Sequence, residues 1–503
     1  MRLDDLLGAH LRGLRQPPGP QAAGLEITAL AYDSRAVTRG ALFFCVTGLR
    51  ADGHEFAADA VRAGAGALVV ERPLGLGVPE VLVDSAREAM APLAARFYRH
   101  PDRELDVVGI TGTNGKTTTA YMVRALLEGT GTQCGLLGTV KSVIGGREQE
   151  VSRTTPEAID LQGDLRAMLD GGDRACAIEV SSHALSLGRT DGVRFAAAVF
   201  TNMTRDHLDF HEDMEDYFRA KRLLFMPESG PAPRVSVLNA GDPYGRRLAQ
   251  EVPGAITFAL DAPADYSASG VRAGFDGCRF TLDAPHGRRE LSLPMLGRFN
   301  VANALGALAT AVALGGDPDE LLDVLSRGVH VPGRFEPVDE GQDFAVLVDY
   351  AHTPDSLENV LGAARELIDR EAGGTARLIC VFGAGGDRDR GKRPLMGEIG
   401  ARLADLVFVT SDNPRSEDPD AIIAEIMAGA AGHTGVVALA DRREAIAQAV
   451  ASAGPGDVLV VAGKGHEQGQ EFTGGRKIPF DDVAVAREAL AALQDRPVGA
   501  GAA

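Results

Sequence analysis

The sequence predicts an α/β protein of several domains built on parallel sheets, and three observations predict it. Its 503 residues exceed what one hydrophobic core organises. Leu105-Asp106-Val107-Val108-Gly109-Ile110 reads as a strand that runs through a glycine turn into a helix over 116–128. Beyond residue 340, apolar runs near 344–349, 377–382, 405–410 and 457–462 alternate with helical stretches near 354–368, 393–404, 419–428 and 441–453. That alternation is the pattern of a further α/β sheet.

The remaining elements follow the same logic. Before residue 105, the runs 27–32, 40–46 and 67–70 read as strands and 85–98 as a helix, closing at a polar linker over 99–104 with Pro101. Runs at 175–180, 196–201 and 234–238 each lead into polar residues, 262–294 reads as a local antiparallel insertion, and 300–314 is an Ala/Leu helix. A second linker, 329–334, sets three domains at 1–104, 105–332 and 333–503.

Composition narrows the function classes. A net charge of -19, 5% aromatic residues and no Trp argue against a broad nucleic-acid surface. Local Arg and Lys clusters still serve an anionic small molecule. The five cysteines are widely spaced with no CxxC pair, which fits a reduced cytoplasm better than structural zinc or a disulfide framework. The N-terminal stretch carries charges throughout, unlike a signal peptide or a membrane span. No obligate protein partner is evident.

Gly112-Thr113-Asn114-Gly115-Lys116-Thr117-Thr118 lies between the strand and helix near 105–128. Glycines let backbone N–H groups converge on a polyphosphate, and a helix N-terminus favours anions. Lys116 supplies a point charge, and Thr117 is positioned to ligate Mg²⁺. The general phosphate-loop spacing places glycine where this chain has Ile110, so a glycine-rich turn of another kind is the plainer alternative.

Glu179 ends one apolar run, and Asn202 to His211, which includes His207, follows the next. Polar residues at the carboxyl ends of parallel strands face the crevice where α/β ligands bind, and Glu179 with His207 offers oxygen and nitrogen to a divalent ion. Lys221, by composition, reads as an exposed helical lysine. In the last third, 383–388, 412–415 and 463–467 follow strands. Arg388 and Arg415 provide cationic forks, while Asp412 and Glu467 provide acceptors, a set suited to a zwitterion. Independent surface salt bridges are the alternative.

These motifs in this order, from residue 33 to 467, resemble the Mur ligase and folylpolyglutamate synthase superfamily. The resemblance implies a three-domain Mur ligase architecture: an N-terminal UDP-sugar-binding domain, a central P-loop ATPase-like parallel sheet and a C-terminal Rossmann-like domain. It implies ATP contacts at Gly112 to Thr118, Asn300, Arg334 and Asp349. It implies metal at Thr117, Glu179, His207 and a CO2-derived carbamate on Lys221, with two Mg²⁺ ions. Lys116, Glu179, His207 and Lys221 become the catalytic set. Ser34, Thr154, Thr155, Ser181 and Arg189 are implied to hold a UDP-N-acetylmuramoyl dipeptide, although Leu187 stands where a family member has glutamine. Asp412-Asn413-Pro414-Arg415 matches the signature of the branch that adds meso-diaminopimelate, with Arg388, Gly463 and Glu467 as further contacts. The expected reaction is therefore ligation of that amino acid to the D-glutamyl γ-carboxylate through an acyl phosphate. L-Lysine as the amino acid, a folylpolyglutamate synthase-like reaction and a nucleotide-binding regulatory protein are the alternatives.

Overall fold

The structure, a computed structural model, describes residues 1–8, 13–16, 22, 24–48, 51–151, 153–228, 230–371 and 376–494. The chain forms two compact units, one of residues 1–111, 131–199 and 219–236 and one of 112–130, 200–218 and 237 onward.

In the first unit, five strands lie in the order Leu14–Gln16, Glu80–Val83, Ala67–Val70, Ala41–Phe44, Ala29–Ala31. The first is antiparallel and the others are parallel. Successive side chains on these strands enter different cores, as a period of two requires. Leu42, Phe44 and Val69 pack with helix Ala86–Phe97, whereas Phe43, Leu68 and Val70 pack with helix Ala57–Ala63. Burial on both faces explains why these strands read as continuous apolar runs. A second strand group follows the order Phe195–Phe200, Asp106–Thr111, Ala175–Glu179, Cys134–Leu137, Ser142–Ile144, Arg147–Gln149. Ala175–Glu179 is parallel to both of its neighbours, in a register that pairs Glu179 with Ile110.

In the second unit, helix Lys116–Gly129 packs on helices Arg298–Ala313 and Pro318–Ser326. Tyr266–Gly274, Gly277–Ala284 and Gly287–Leu293 form the antiparallel meander expected over 262–294. Three helices of this unit open on Asp-Pro: at 242–243, 317–318 and 418–419 the Asp side chain accepts N–H groups of the first turn. Proline at the first helical position adds a preset φ and loses no needed donor.

Six strands of this unit lie in the order Glu336–Pro337, Ala345–Asp349, Val458–Ala462, Leu378–Phe382, Leu406–Val409, Val436–Ala438. All but the first run parallel. Val458–Ala462, late in sequence, inserts between the first two parallel strands. The register pairs Asp349 with Ala462 and Phe382 with Val409, so the polar segments after them emerge along one sheet edge. Behind that edge, Arg442 and Asp482 begin two helices and form an ion pair at 2.7 Å with both side chains 0% exposed. No helix among the described residues is long and apolar enough to cross a membrane.

Candidate functional site

The loop after strand Asp106–Thr111 is held from outside by the segment 201–204. Thr113 N–H donates to the Asn202 carbonyl and Asn114 N–H to Asn202 Oδ1, both at 2.9 Å. The Thr201 hydroxyl donates to the Asn114 carbonyl at 2.6 Å. Gly112 has φ 152°, and a Cβ there would lie 1.9 Å from Thr201 Oγ1, so the close approach requires glycine. Lys116 begins the 14-residue helix, and its Nζ donates to the carbonyls of Gly112 and Thr113 at 2.9 and 2.8 Å. Arg334 Nη2 donates to Thr117 Oγ1 at 2.9 Å, and its guanidinium lies 4.5 Å from the Tyr350 ring centroid. Thr118 is buried on the same helix.

Asn300 is buried; its Nδ2 donates to the Leu296 carbonyl, and its Oδ1 accepts from Asn303 at 3.1 Å. Asn303 is the residue at the loop, since a Cβ on Gly115 would come within 2.4 Å of its Oδ1. Asp349 Oδ2 accepts Phe335 N–H and Oδ1 accepts Ala351 N–H, each at 2.7 Å. His207, at φ 55°, lies 3.3 Å from Asp206 through Nε2 and edge-on to Tyr217.

In the first unit, Glu179 is buried, with Oε1 accepting Thr139 N–H at 2.8 Å and Oε2 the Thr139 hydroxyl at 3.0 Å. Thr139 meets Thr154 at 3.1 Å, and the Thr155 hydroxyl donates to the Glu179 carbonyl at 2.8 Å while accepting Ser181 N–H. Arg189 donates to the Thr155 carbonyl and pairs with Glu157, which Arg87 and Arg153 also reach. Its Nε is buried without a partner among the described residues. The Tyr32 hydroxyl donates to Asp160, tying the segment that carries Ser34 to the helix that follows Thr155. Thr154, Thr155, Ser181 and Arg189 therefore belong to one neighbourhood, rich in hydroxyls and guanidinium groups, while Ser34 stands two residues after Tyr32. Leu187 caps the short helix beside it.

Lys221 departs from its expected exposure, with only 1% of the residue accessible. Its helix, Met214–Arg222, buries Tyr217 and Phe218, which stand four and three residues before it and so share its face.

At the edge of the six-stranded sheet, Asp412 and Asn413 are buried. Asn413 Nδ2 donates to Glu467 Oε2 at 2.8 Å, and the buried Lys464 donates to both Asn413 Oδ1 and Glu467 Oε2 at 2.9 Å. Burial raises the Asp412 carboxyl, but Lys464 and Arg442 more than offset it and hold it below its ordinary range. Its Oδ2 has no hydrogen-bond partner among the described residues, and a Cβ on Gly463 would lie 2.6 Å from that oxygen. Gly463 thus lacks the side chain that would collide with this buried carboxylate. Arg415 pairs with Glu471 at 3.0 Å and donates to the Gly386 carbonyl at 2.8 Å, Pro414 is buried beside it, and Arg388 is exposed. Sequence reasoning placed Asn202, Asn303, Asp355 and Lys464 inside candidate segments without singling them out, and missed Lys392. Lys464 lies inside the quoted Gly463–Glu467 segment, but nothing in its spacing announces burial.

Three family models match the chain: the Mur ligase family catalytic domain over residues 26–98, the Mur ligase middle domain over 110–311, and the Mur ligase glutamate ligase domain over 333–465. The chain is 45% identical to the UDP-N-acetylmuramoyl-L-alanyl-D-glutamate--2,6-diaminopimelate ligase of Geobacillus kaustophilus, covering 92% of this chain and 95% of that one. It is 46% identical to the enzyme of that name from Synechococcus elongatus, covering 98% and 100%. A solved structure of the same name is 33% identical, covers 93% and 95%, and superposes with a TM-score of 0.65. Mycobacterium tuberculosis folylpolyglutamate synthase, at 19% identity and a TM-score of 0.60 over 81% and 95%, shares the fold.

Asp349 supplies a pH prediction. Burial outweighs Arg334 and the two N–H donors and raises its carboxyl from 3.8 to about 6. The folded chain therefore holds a proton that the unfolded chain has lost between those values, so this contribution to stability falls as pH rises through that window. Urea unfolding of the parent and Asp349→Asn from pH 4 to 7.5 should show the parent losing stability relative to the variant up to about pH 6 and none beyond. Parallel curves would contradict it.

Proposed function

The chain belongs to the Mur ligase family, and from that premise we propose that it uses ATP to join meso-2,6-diaminopimelate to the D-glutamyl γ-carboxylate of UDP-N-acetylmuramoyl-L-alanyl-D-glutamate, in cytoplasmic peptidoglycan synthesis. One observation in the structure supports the ATP-dependent part of this reading. Within the second unit, Asp355 accepts from Asn114 of the phosphate loop and Arg334 reaches Thr117, so the segments flanking the amino-acid-binding sheet touch the nucleotide loop directly. Residues 1–104 serve the nucleotide sugar, 105–332 the ATP, and 333–503 the amino acid.

Transfer breaks the bond between the β–γ bridging oxygen and the γ-phosphorus and forms one from the glutamyl carboxylate to that phosphorus, giving an acyl phosphate and ADP. Lys116 exchanges two loop carbonyls for phosphate oxygens, stronger charge-assisted partners. The α-amine of diaminopimelate, deprotonated, then attacks the acyl carbon, and phosphate leaves with the former carboxylate oxygen. Arg415 and Arg388 hold the distal carboxylate, while Asp412, Asn413, Gly463 and Glu467 hold the amino-acid end. Ser34, Thr154, Thr155, Ser181 and Arg189 hold the UDP-sugar dipeptide.

Hard oxygen donors and one imidazole are a donor set that fits Mg²⁺. Thr117, Glu179, His207 and Lys221, the last through a carbamate, would hold it; when bound it supplies charge neutralisation between phosphoryl and carboxylate.

With ¹⁸O in the glutamyl γ-carboxylate, ATP and meso-diaminopimelate, one labelled oxygen should appear in the released phosphate together with a product of summed mass. Unlabelled phosphate would exclude the acyl phosphate. In ¹³C-bicarbonate, a carbamate carbon resonance should be present in the parent and absent in Lys221→Ala; identical spectra would remove the modification from the account.

A further inference from the structure

Arg393 is a fully buried cation that its carboxylate neighbours hold in place. It lies in the first turn of helix Lys392–Leu403, where the helix N-terminus opposes a cation, and its side chain is 0% exposed. Its Nε has no hydrogen-bond partner among the described residues. Carboxylates hold the rest of the group. Nη1 and Nη2 fork onto Glu417 Oε2 and Oε1 at 2.9 and 2.8 Å, and Nη1 also reaches Glu425 at 2.8 Å.

The fork extends to both loops of the amino-acid cleft. Glu417 Oε1 also accepts Asp387 N–H at 2.6 Å, and Arg393 Nη2 donates to the Gly385 carbonyl at 3.2 Å. Gly386 N–H donates to the Asn413 carbonyl at 2.9 Å, and the Ser416 hydroxyl donates to Asp387 Oδ1 at 2.6 Å. Each loop holds one non-glycine residue at positive φ, Asp387 at 54° and Arg415 at 51°. Such conformations persist where neighbours over-determine them. A Cβ on Gly386 would lie 1.9 Å from the Pro414 carbonyl oxygen, so the two backbones are in contact.

We propose that Arg393 and Glu417 are positioning residues for amino-acid recognition: their buried fork locks the loop of Arg388 to the loop of Arg415, setting one spacing of guanidinium groups for the distal carboxylate of a diamino diacid. This rests on the assignment of these loops to diaminopimelate. Arg393 acts through Arg415 and does not touch substrate. A lysine there keeps the charge and loses the planar fork.

The test is steady-state kinetics of the full chain carrying Arg393→Lys, Glu417→Gln or Ser416→Ala, each first checked for cooperative urea unfolding. The KM for meso-diaminopimelate should rise roughly tenfold in the first two and about threefold in Ser416→Ala, with the KM for ATP and for the UDP-sugar dipeptide within about twofold. The double variant Arg393→Lys/Glu417→Gln should be no worse than the worse single, since one fork is lost in each. If Arg393→Lys does not fold, the other two decide. An unchanged diaminopimelate KM in Glu417→Gln and Ser416→Ala overturns the proposal, and so does a parallel rise in all three KM values. A parent chain with no diaminopimelate-dependent turnover would overturn the functional assignment itself.

Discussion

The Oδ2 oxygen of Asp355 accepts hydrogen bonds from the side-chain amides of Asn114 and Asn359 and from the Thr204 hydroxyl, at 2.6, 3.1 and 3.1 Å. Asn114 belongs to the phosphate loop, and Asp355 opens the helix after the first parallel strand of the six-stranded sheet. Burial raises the Asp355 carboxyl, and the Thr204 and Asn114 donors offset only part of that rise. The loop in turn takes its shape from Thr201 and Asn202, the two residues before Met203, whose N–H is held by Asp242. A displacement at any of these points would reach the loop backbone N–H groups proposed to cradle phosphate, because each depends on the next for its hydrogen bond.

The same economy governs the amino-acid cleft, where buried charge is matched locally. Lys464, at 0% side-chain exposure, is satisfied by Asn413 and Glu467, and both belong to the segments assigned to substrate. Lys392 donates to the His352 carbonyl at 2.9 Å; burial lowers its ammonium, against Asp206 and Asp412. Arg442 keeps Asp482 company in the deep core while contributing to the field that holds Asp412 ionised. Removing one member of such a pair strands the other in low dielectric, which is why these side chains determine cleft geometry more firmly than their exposed neighbours do.

Much of this was legible in the residues. Strands buried on both faces appear as unbroken apolar runs, so Ala41–Phe44, Ala67–Val70, Leu378–Phe382 and Val458–Ala462 fall where expected. The polar segments after them are the ones the sheet register brings to one edge. Short elements were not legible: Ala57–Ala63, Pro243–Glu251 and Pro318–Ser326 lack a long periodic stripe, although an Asp-Pro start marked the last two. Burial of single charged residues was least legible of all. Lys221, Arg393 and Lys464 look like surface residues because what buries them lies in side chains distant in sequence or on a helix face that only packing selects. Asn303 escaped for a related reason: its partner, Gly115, lies far away in the chain.

Phosphate release from ATP, followed with the UDP-sugar dipeptide and Mg²⁺ in the presence of meso-diaminopimelate, L-lysine or no amino acid, tests the central claim most directly. Sustained release with diaminopimelate and little with lysine is the expected result, because lysine lacks the distal carboxylate that Arg388 and Arg415 are proposed to hold. Equal or preferred use of lysine would contradict the role given to Arg388, Arg415 and the loops that carry them.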